Sequence, residues 1–260
     1  MKNKIEIFPL ILLLIVLIFG ILTKSESLFK ATESDITQIG EYTSVPNFTT
    51  YNPNVSRTSN FINFLTPIIE SENYEILTNR KNLKKLMKKS HHSSADTTWL
   101  HQTAKYYKLK KFSITPQTLF ELLERIDIIP IEIVLSQAAI ESNWGASGFA
   151  KRGNNLFGMR TTSQKSGIIP KDRATGATFR VASYRTVNQS VKSYLRNLNT
   201  HKAYKKLRKN RALMRKENIE LNPFELANDL TAYSTLGYDY VLMIKRTMNN
   251  YQNDYKKNRY

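Results

Sequence analysis

Hydrophobic and polar positions fall into three regimes along the chain. Lys2 and Lys4 precede an apolar run from Ile7 to Leu22, interrupted only by Pro9 and Gly20. The run is slightly short of the ~20 residues of an average membrane-spanning helix, yet longer than the ~7–15 of a signal-peptide core. It has no polar face, which argues against a buried core helix. Beyond Leu22 there is neither a small-residue cleavage site nor a cysteine for lipid attachment. An uncleaved signal anchor over residues 1–30 is therefore favoured over a cleaved signal peptide. The Lys pair would stay cytoplasmic, and the rest of the chain would lie outside the inner (cytoplasmic) membrane.

The second regime, residues 31–60, is polar. Fourteen of its thirty residues are Ser, Thr or Asn, with Pro46 and Pro53 among them. Such a stretch reads as a flexible linker, because it carries too little apolar surface to offset its ordering entropy. The third regime, 61–260, is helical in pattern. Phe61, Ile62, Phe64, Leu65, Ile68 and Ile69 form an apolar cluster. Helical spacing follows at about 72–89, with Ile76, Arg80, Leu83, Leu86 and Met87 along it, and again at 95–107. Thr115-Pro116 is a strong start signal for a helix ending near Arg125. Pro130 starts another, with Ile131, Val134, Leu135, Ala138 and Ala139 on one face. The expected fold is thus mainly α, one domain behind a membrane helix and a polar linker.

Charge and composition limit the chemistry. The 260 residues hold 39 Lys+Arg against 21 Asp+Glu, a net charge of +18, and no cysteine. Disulfides, thiolate nucleophiles and cysteine-ligated zinc are excluded. The charge calls for an anionic partner. With the domain outside the membrane, that partner is expected to be the wall or the membrane surface and not nucleic acid. The segment 200–216 is densely basic, with Lys202, Lys205, Lys206, Arg208, Lys209, Arg211, Arg215 and Lys216. It reads either as a solvated helix face or as a landing site for acidic wall groups or lipid headgroups. His91, His92 and His101 lack partners at metal-ligand spacing and read as surface histidines.

One carboxylate stands out. Glu141 extends the Val134–Ala138 row to the border of the buried face, near the helix C-terminus and just before Trp144. The helix dipole and partial burial both disfavour its ionised form, as a general acid working near neutrality requires. Ser142 beside it lacks the surroundings of an activated nucleophile.

The run SQAAIESNWGASGFAKRGNNLFGMR, from Ser136 to Arg160, resembles the catalytic helix and following loop of bacterial peptidoglycan glucosaminidases, glycoside hydrolase family 73. TWLHQTAKYYKL at 98–109, GATFRVASYRT, QSVKSYLRNLNTHKAYKKLR and LTAYSTLGYDYVLMI extend the likeness, which is nearest to the Bax-like branch and covers roughly 62–251. The resemblance implies a lysozyme-like helical domain with a small β-excursion at about 158–186. It also implies hydrolysis of the β-1,4 bond between N-acetylglucosamine and N-acetylmuramic acid, with no metal and no cofactor. On that likeness Glu141 is the general acid, Tyr233 a catalytic-cleft tyrosine and Tyr238 a second aromatic near the scissile sugar. Trp144 and Phe157 would shape the cleft wall. The Asn154-Asn155 pair would organise the loop, with substrate contact by Asn155 as the lesser role. Relatives often take a second carboxylate from the β-excursion. Here position 180 is Arg180, and the candidate is Asp172, equally readable as a turn residue paired with Arg173. Hydrolysis assisted by the substrate's acetamido group would need no second protein carboxylate. A glycan-binding module or a scaffold of the same fold is the competing reading. Oligomeric state and the choice between inversion and retention stay open.

Overall fold

The computed structural model describes residues 40–161, 163, 167–170, 173, 176 and 178–257, with side chains to 251. The apolar run at 7–22 and Asp172 lie outside the described residues. Among the described residues, no helix is long and apolar enough to cross a membrane.

The fold is mainly helical. Its helices are α1 (Arg57–Leu86), α2 (Ser94–Tyr106), α3 (Pro116–Arg125), α4 (Ile131–Ser142), α5 (Gly148–Gly153), α6 (Val187–Thr200), α7 (Lys205–Lys216), α8 (Pro223–Leu226) and α9 (Tyr238–Lys257). Short 3-10 turns at Lys202–Tyr204 and Ala227–Tyr233 link the later ones. The β-excursion expected at 158–186 is small: β1 (Arg160–Thr161) pairs antiparallel with β2 (Arg180–Val181), with Arg160 opposite Val181, and Ile168 bridges to Val181.

The apolar cluster at 61–69 and the helical stretch after it are one helix, α1, which begins earlier than expected. Ser56 caps it by accepting from the Ser59 N–H at 3.1 Å. Pro67 lies within α1. It removes one N–H, and Asn63, whose carbonyl loses that partner, is an exposed residue, so water can replace the bond. α2, α3 and α4 form close to the expected bounds. Helix α4, expected to be amphipathic, is instead buried nearly all round: Ile133 to Ala139 without a break, and Ser142. It is the central helix of the main core, packed chiefly against α9 and also against α1. A second, smaller core joins the end of α1 (Leu83, Leu86), α2 (Leu100, Ala104) and α3 (Leu119, Leu122) to Tyr107 and Ile126.

The linker expectation is corrected from residue 40 onward. Val45 and Phe48 are buried in the main core, and 57–60 are helical. The stretch is a strap, held by backbone partners that its composition conceals. The Val187 N–H donates to the Tyr42 carbonyl at 2.7 Å, and Asn154 takes the Val45 N–H at 3.2 Å while donating to the Thr43 carbonyl at 2.9 Å. Asn60 donates to the Phe48 and Asn52 carbonyls. The Phe48 ring meets Phe61 at 5.3 Å and Phe64 at 5.5 Å. Few apolar residues suffice because each is an aromatic or β-branched anchor, and the polar ones satisfy the chain between them.

Asp127, between α3 and α4, ties the two cores together. Its carboxylate is 2% exposed and faces three arginines: Arg215 at 3.1 Å, Arg80 at 3.6 Å and Arg211 at 3.8 Å. The guanidinium groups also bind carbonyls around it: Arg80 reaches Ile126 at 2.8 Å, and Arg211 reaches Ile128 and Glu124, each at 2.9 Å. Asn199 of α6 donates to the Asp127 carbonyl at 2.9 Å. Burial alone would push the Asp127 carboxyl up, but Arg211, Arg80 and Arg215 outweigh it and hold the group below the ordinary range.

Replacing Asp127 by Asn leaves buried guanidinium groups without a counter-charge, and an expected loss of about 3–5 kcal/mol should appear as a lower urea midpoint. The folded-state value lies below the unfolded one, so this stabilisation is complete above the unfolded value near ~3.9 and fades as pH falls through the folded value. Urea titrations of wild type and D127N should therefore converge at acid pH; a constant gap would contradict the assignment.

Candidate active site

Glu141 sits on the last turn of α4, where the chain reverses sharply. Asn143, Trp144 and Gly145 have φ of 49°, 54° and 77°, all in the left-handed region. The Trp144 N–H reaches back to the Ala139 carbonyl at 2.9 Å, and Ser142 donates to Ala138 at 2.5 Å while taking the Gly145 N–H at 2.8 Å. The helix end is thereby closed by bonds within its own chain. Gly145 is required on two grounds: its positive φ, and a Cβ there would lie 2.4 Å from Phe48 Cε2. The strap thus packs directly against the turn that ends the Glu141 helix.

The carboxyl of Glu141 is half-buried. Its Oε1 accepts from the Tyr240 hydroxyl at 2.7 Å. Its Oε2 faces Gly158, where an added Cβ would stand 3.2 Å away. Burial raises its pKa, and the Tyr240 hydrogen bond offsets only part of that rise. Gln137, one turn back on the same face of α4, donates its Nε2–H to the Tyr240 oxygen at 3.0 Å and accepts from the Tyr194 hydroxyl at 2.6 Å. The ring of Tyr240 stacks on Tyr233 at 5.6 Å with 2° between planes. Burial disfavours the ionised form of this carboxyl in an aromatic, largely apolar setting, with one oxygen anchored by Tyr240 and the other facing Gly158: an arrangement suited to a proton donor.

The residues expected at the site are distributed unevenly around it. Tyr233 is near, but its hydroxyl donates to the Phe157 carbonyl at 2.8 Å and not to Glu141. Tyr238 is 57% exposed. The tyrosine of that segment that reaches the carboxyl is Tyr240, two positions on. The pattern of α9 explains this: Tyr240, Val241, Ile244, Met248 and Tyr251 make its buried face, and Tyr238 falls outside it. Trp144 packs edge-on against Phe61 at 5.6 Å as a core-edge ring. Phe157, expected on the cleft wall, is buried and stacked on Tyr194 at 4.0 Å.

Asn155, expected to touch substrate, is 1% exposed. Its amide donates to the Met159 and Ala182 carbonyls at 2.8 Å, and its oxygen takes the Phe157 and Met159 N–H groups. That leaves it no capacity for a ligand. The basic segment at 200–216 is only partly a surface: Arg211 is fully buried around Asp127, and Arg208 donates to the Leu198 and His201 carbonyls at 3.0 and 2.9 Å. Lys202, Lys205, Lys206 and Lys209 are exposed. Among the described residues no group of three His, Asp or Glu side chains is placed to hold a metal. Gln137, Tyr194, Tyr240 and Gly158 were not singled out in the sequence. The available signals were the four-residue step from Gln137 to Glu141 and the phase of α9.

A family model described as mannosyl-glycoprotein endo-beta-N-acetylglucosaminidase matches residues 116–253, which include α4, the β-excursion and Tyr240. The chain belongs to this glucosaminidase family. It is 37% identical over 201 residues to Protein bax of Escherichia coli (strain K12), covering 76% of this chain and 70% of that protein. No solved structure matches the chain significantly.

Carboxyl-carbon NMR across a pH titration should place the Glu141 midpoint above the ~4.3 of an ordinary glutamate. A midpoint at or below that value would rule out burial as the controlling influence on this group.

Proposed function

We propose that this protein hydrolyses the glycan strands of peptidoglycan, cutting the β-1,4 bond between N-acetylglucosamine and N-acetylmuramic acid with Glu141 as general acid. The observation that carries this reading is the half-buried Glu141 carboxyl, raised in pKa, with Oε1 held by Tyr240 and Oε2 facing Gly158. Membership of the glucosaminidase family and the identity with Protein bax support glycosidase chemistry in general; the particular bond is our assignment. Protonation of the leaving oxygen by Glu141 would be followed by water attack, aided either by Asp172 as base or by the substrate's acetamido group. The apolar run at 7–22 supports a single-pass anchor with the domain on the periplasmic or otherwise extracytoplasmic side. The exposed lysines of α7 favour contact with acidic wall groups or the inner membrane surface.

Zymography on purified wall, with mass spectrometry of the products, tests the reading. New reducing-end N-acetylglucosamine is expected, and E141Q should lose about 10²–10⁴-fold in rate, the usual contribution of a general acid. An undiminished clearing band in E141Q overturns the assignment of Glu141. Binding to wall without release of any sugar end would make the protein a glycan-binding module. D172N separates a protein base from substrate assistance, since only the former predicts a comparable loss. Gly158→Ala should also lower activity: the residue has φ of 62° and the new methyl would crowd Oε2. Its cost in stability should stay near about 1–2 kcal/mol.

A further inference from the structure

Glu141 has two oxygens in different surroundings, and the hydrogen-bond chain behind Oε1 has a fixed direction. Tyr194 is fully buried, and among the described residues its hydroxyl proton has one acceptor, Gln137 Oε1 at 2.6 Å. That contact orients the amide, so Gln137 Nε2 points a hydrogen at the Tyr240 oxygen at 3.0 Å. Tyr240 then has a single proton to give and, among the described residues, a single place to put it, Glu141 Oε1 at 2.7 Å. Reversing the chain would turn Gln137 Nε2 toward Tyr194 and strand a buried hydroxyl proton, a cost the observed direction avoids.

We infer that Tyr194, Gln137 and Tyr240 form a one-way donor relay that reserves Oε1 of Glu141 as an acceptor and confines the transferable proton to Oε2, opposite Gly158. The inference rests on the reading of Glu141 as general acid and adds three positioning residues to it. They act through Glu141, and none of them needs to touch the glycan. An acid whose proton could sit on either oxygen would be misaligned for part of the time; the relay removes the unproductive form before substrate arrives. Among the described residues, the titratable groups facing Glu141 are tyrosines: Tyr240 of α9, Tyr194 of α6, and Tyr204 and Tyr233 of the two 3-10 turns. Burial keeps each of them protonated at neutral pH, so they act as dipoles and do not change charge with the acid.

The sign of the test follows. A general acid works while protonated, so activity falls as pH rises through its pKa. The Tyr240 hydroxyl favours the ionised form, and its removal in Y240F should shift the alkaline limb of the pH–activity profile upward by about one pH unit. The Glu141 carboxyl-carbon titration should move by the same amount, a readout independent of turnover. Q137E, nearly isosteric, when ionised supplies an acceptor to both tyrosines and so reverses the link to Tyr240 while leaving the Tyr194 link as it is. Tyr240 would then turn away from Glu141 and the proton would be drawn to Oε1, so the limb should again move upward while the plateau rate falls at least tenfold. A plateau loss with an unmoved limb and an unmoved titration in both variants would reduce these residues to packing and overturn the relay. Because Y240F removes a buried hydroxyl, thermal unfolding is followed in parallel; if it does not fold, Q137E alone decides. Failure of the underlying reading looks different: E141Q would then remain active, whatever Y240F does.

Discussion

The charge cluster at Asp127 is the constraint around which the domain is organised. One carboxylate, withdrawn from water, holds guanidinium groups from the long first helix and from α7, while its own backbone carbonyl is taken by Asn199 of α6. The residue stands three positions before Pro130, so whatever fixes it also fixes where α4 begins. The rest follows by rigid geometry. A helix of known start and pitch delivers Gln137 and Glu141 to the same side, one turn apart, where α9 brings Tyr240. Buried ion pairs seldom add net stability over a hydrophobic substitute. What this one adds is position: the satellite core and the main core cannot slide past each other without exposing or stranding a charge.

The sequence showed the helices well where hydrophobic spacing and start signals agreed, as at Thr115-Pro116 and Pro130. It misjudged elements whose stability comes from elsewhere. The strap at 40–56 looks like a linker because its anchors are sparse, and the side chains that hold it, Asn154 and Asn188, lie more than a hundred residues downstream. Helix α4 was expected to show one apolar face; neighbours on all sides also cover polar positions such as Ser136 and Gln137. At the candidate site, the sequence pointed to Glu141 because its motif and its place at a helix end coincide, and the structure shows that carboxyl half-buried and bonded to Tyr240. The choice of Tyr238 over Tyr240 was a matter of helical phase. Asn155 and Phe157 look like ligand-facing residues in a motif, yet their surroundings show them serving the loop's own backbone and core.

The reading of the net charge also changes. Part of the +18 is internal, since Arg80, Arg208 and Arg211 are buried among carbonyls and around Asp127. These arginines do the work of hydrogen-bond donors at helix ends, for which a planar guanidinium suits better than an ammonium group. The lysines, by contrast, remain largely in water. Charge available to an outside partner is therefore mostly lysine charge, mobile and salt-screened, better suited to holding a polymer loosely than to recognising one geometry.

Gly145 has a consequence for what counts as the domain. The stretch recognised as glucosaminidase begins at 116, yet the space beside Gly145 is filled by Phe48, and the carboxylate before α4 is neutralised in part by Arg80. The span of the family model and the unit of folding thus have different boundaries, and the likeness to Protein bax, over 201 residues, is longer than that span. Residues 40–115 behave as a built-in scaffold on which the later portion closes its core, and the helix that carries Glu141 is shared property of both. An exchange of glucosaminidase segments between relatives would succeed only where this scaffold travels with them.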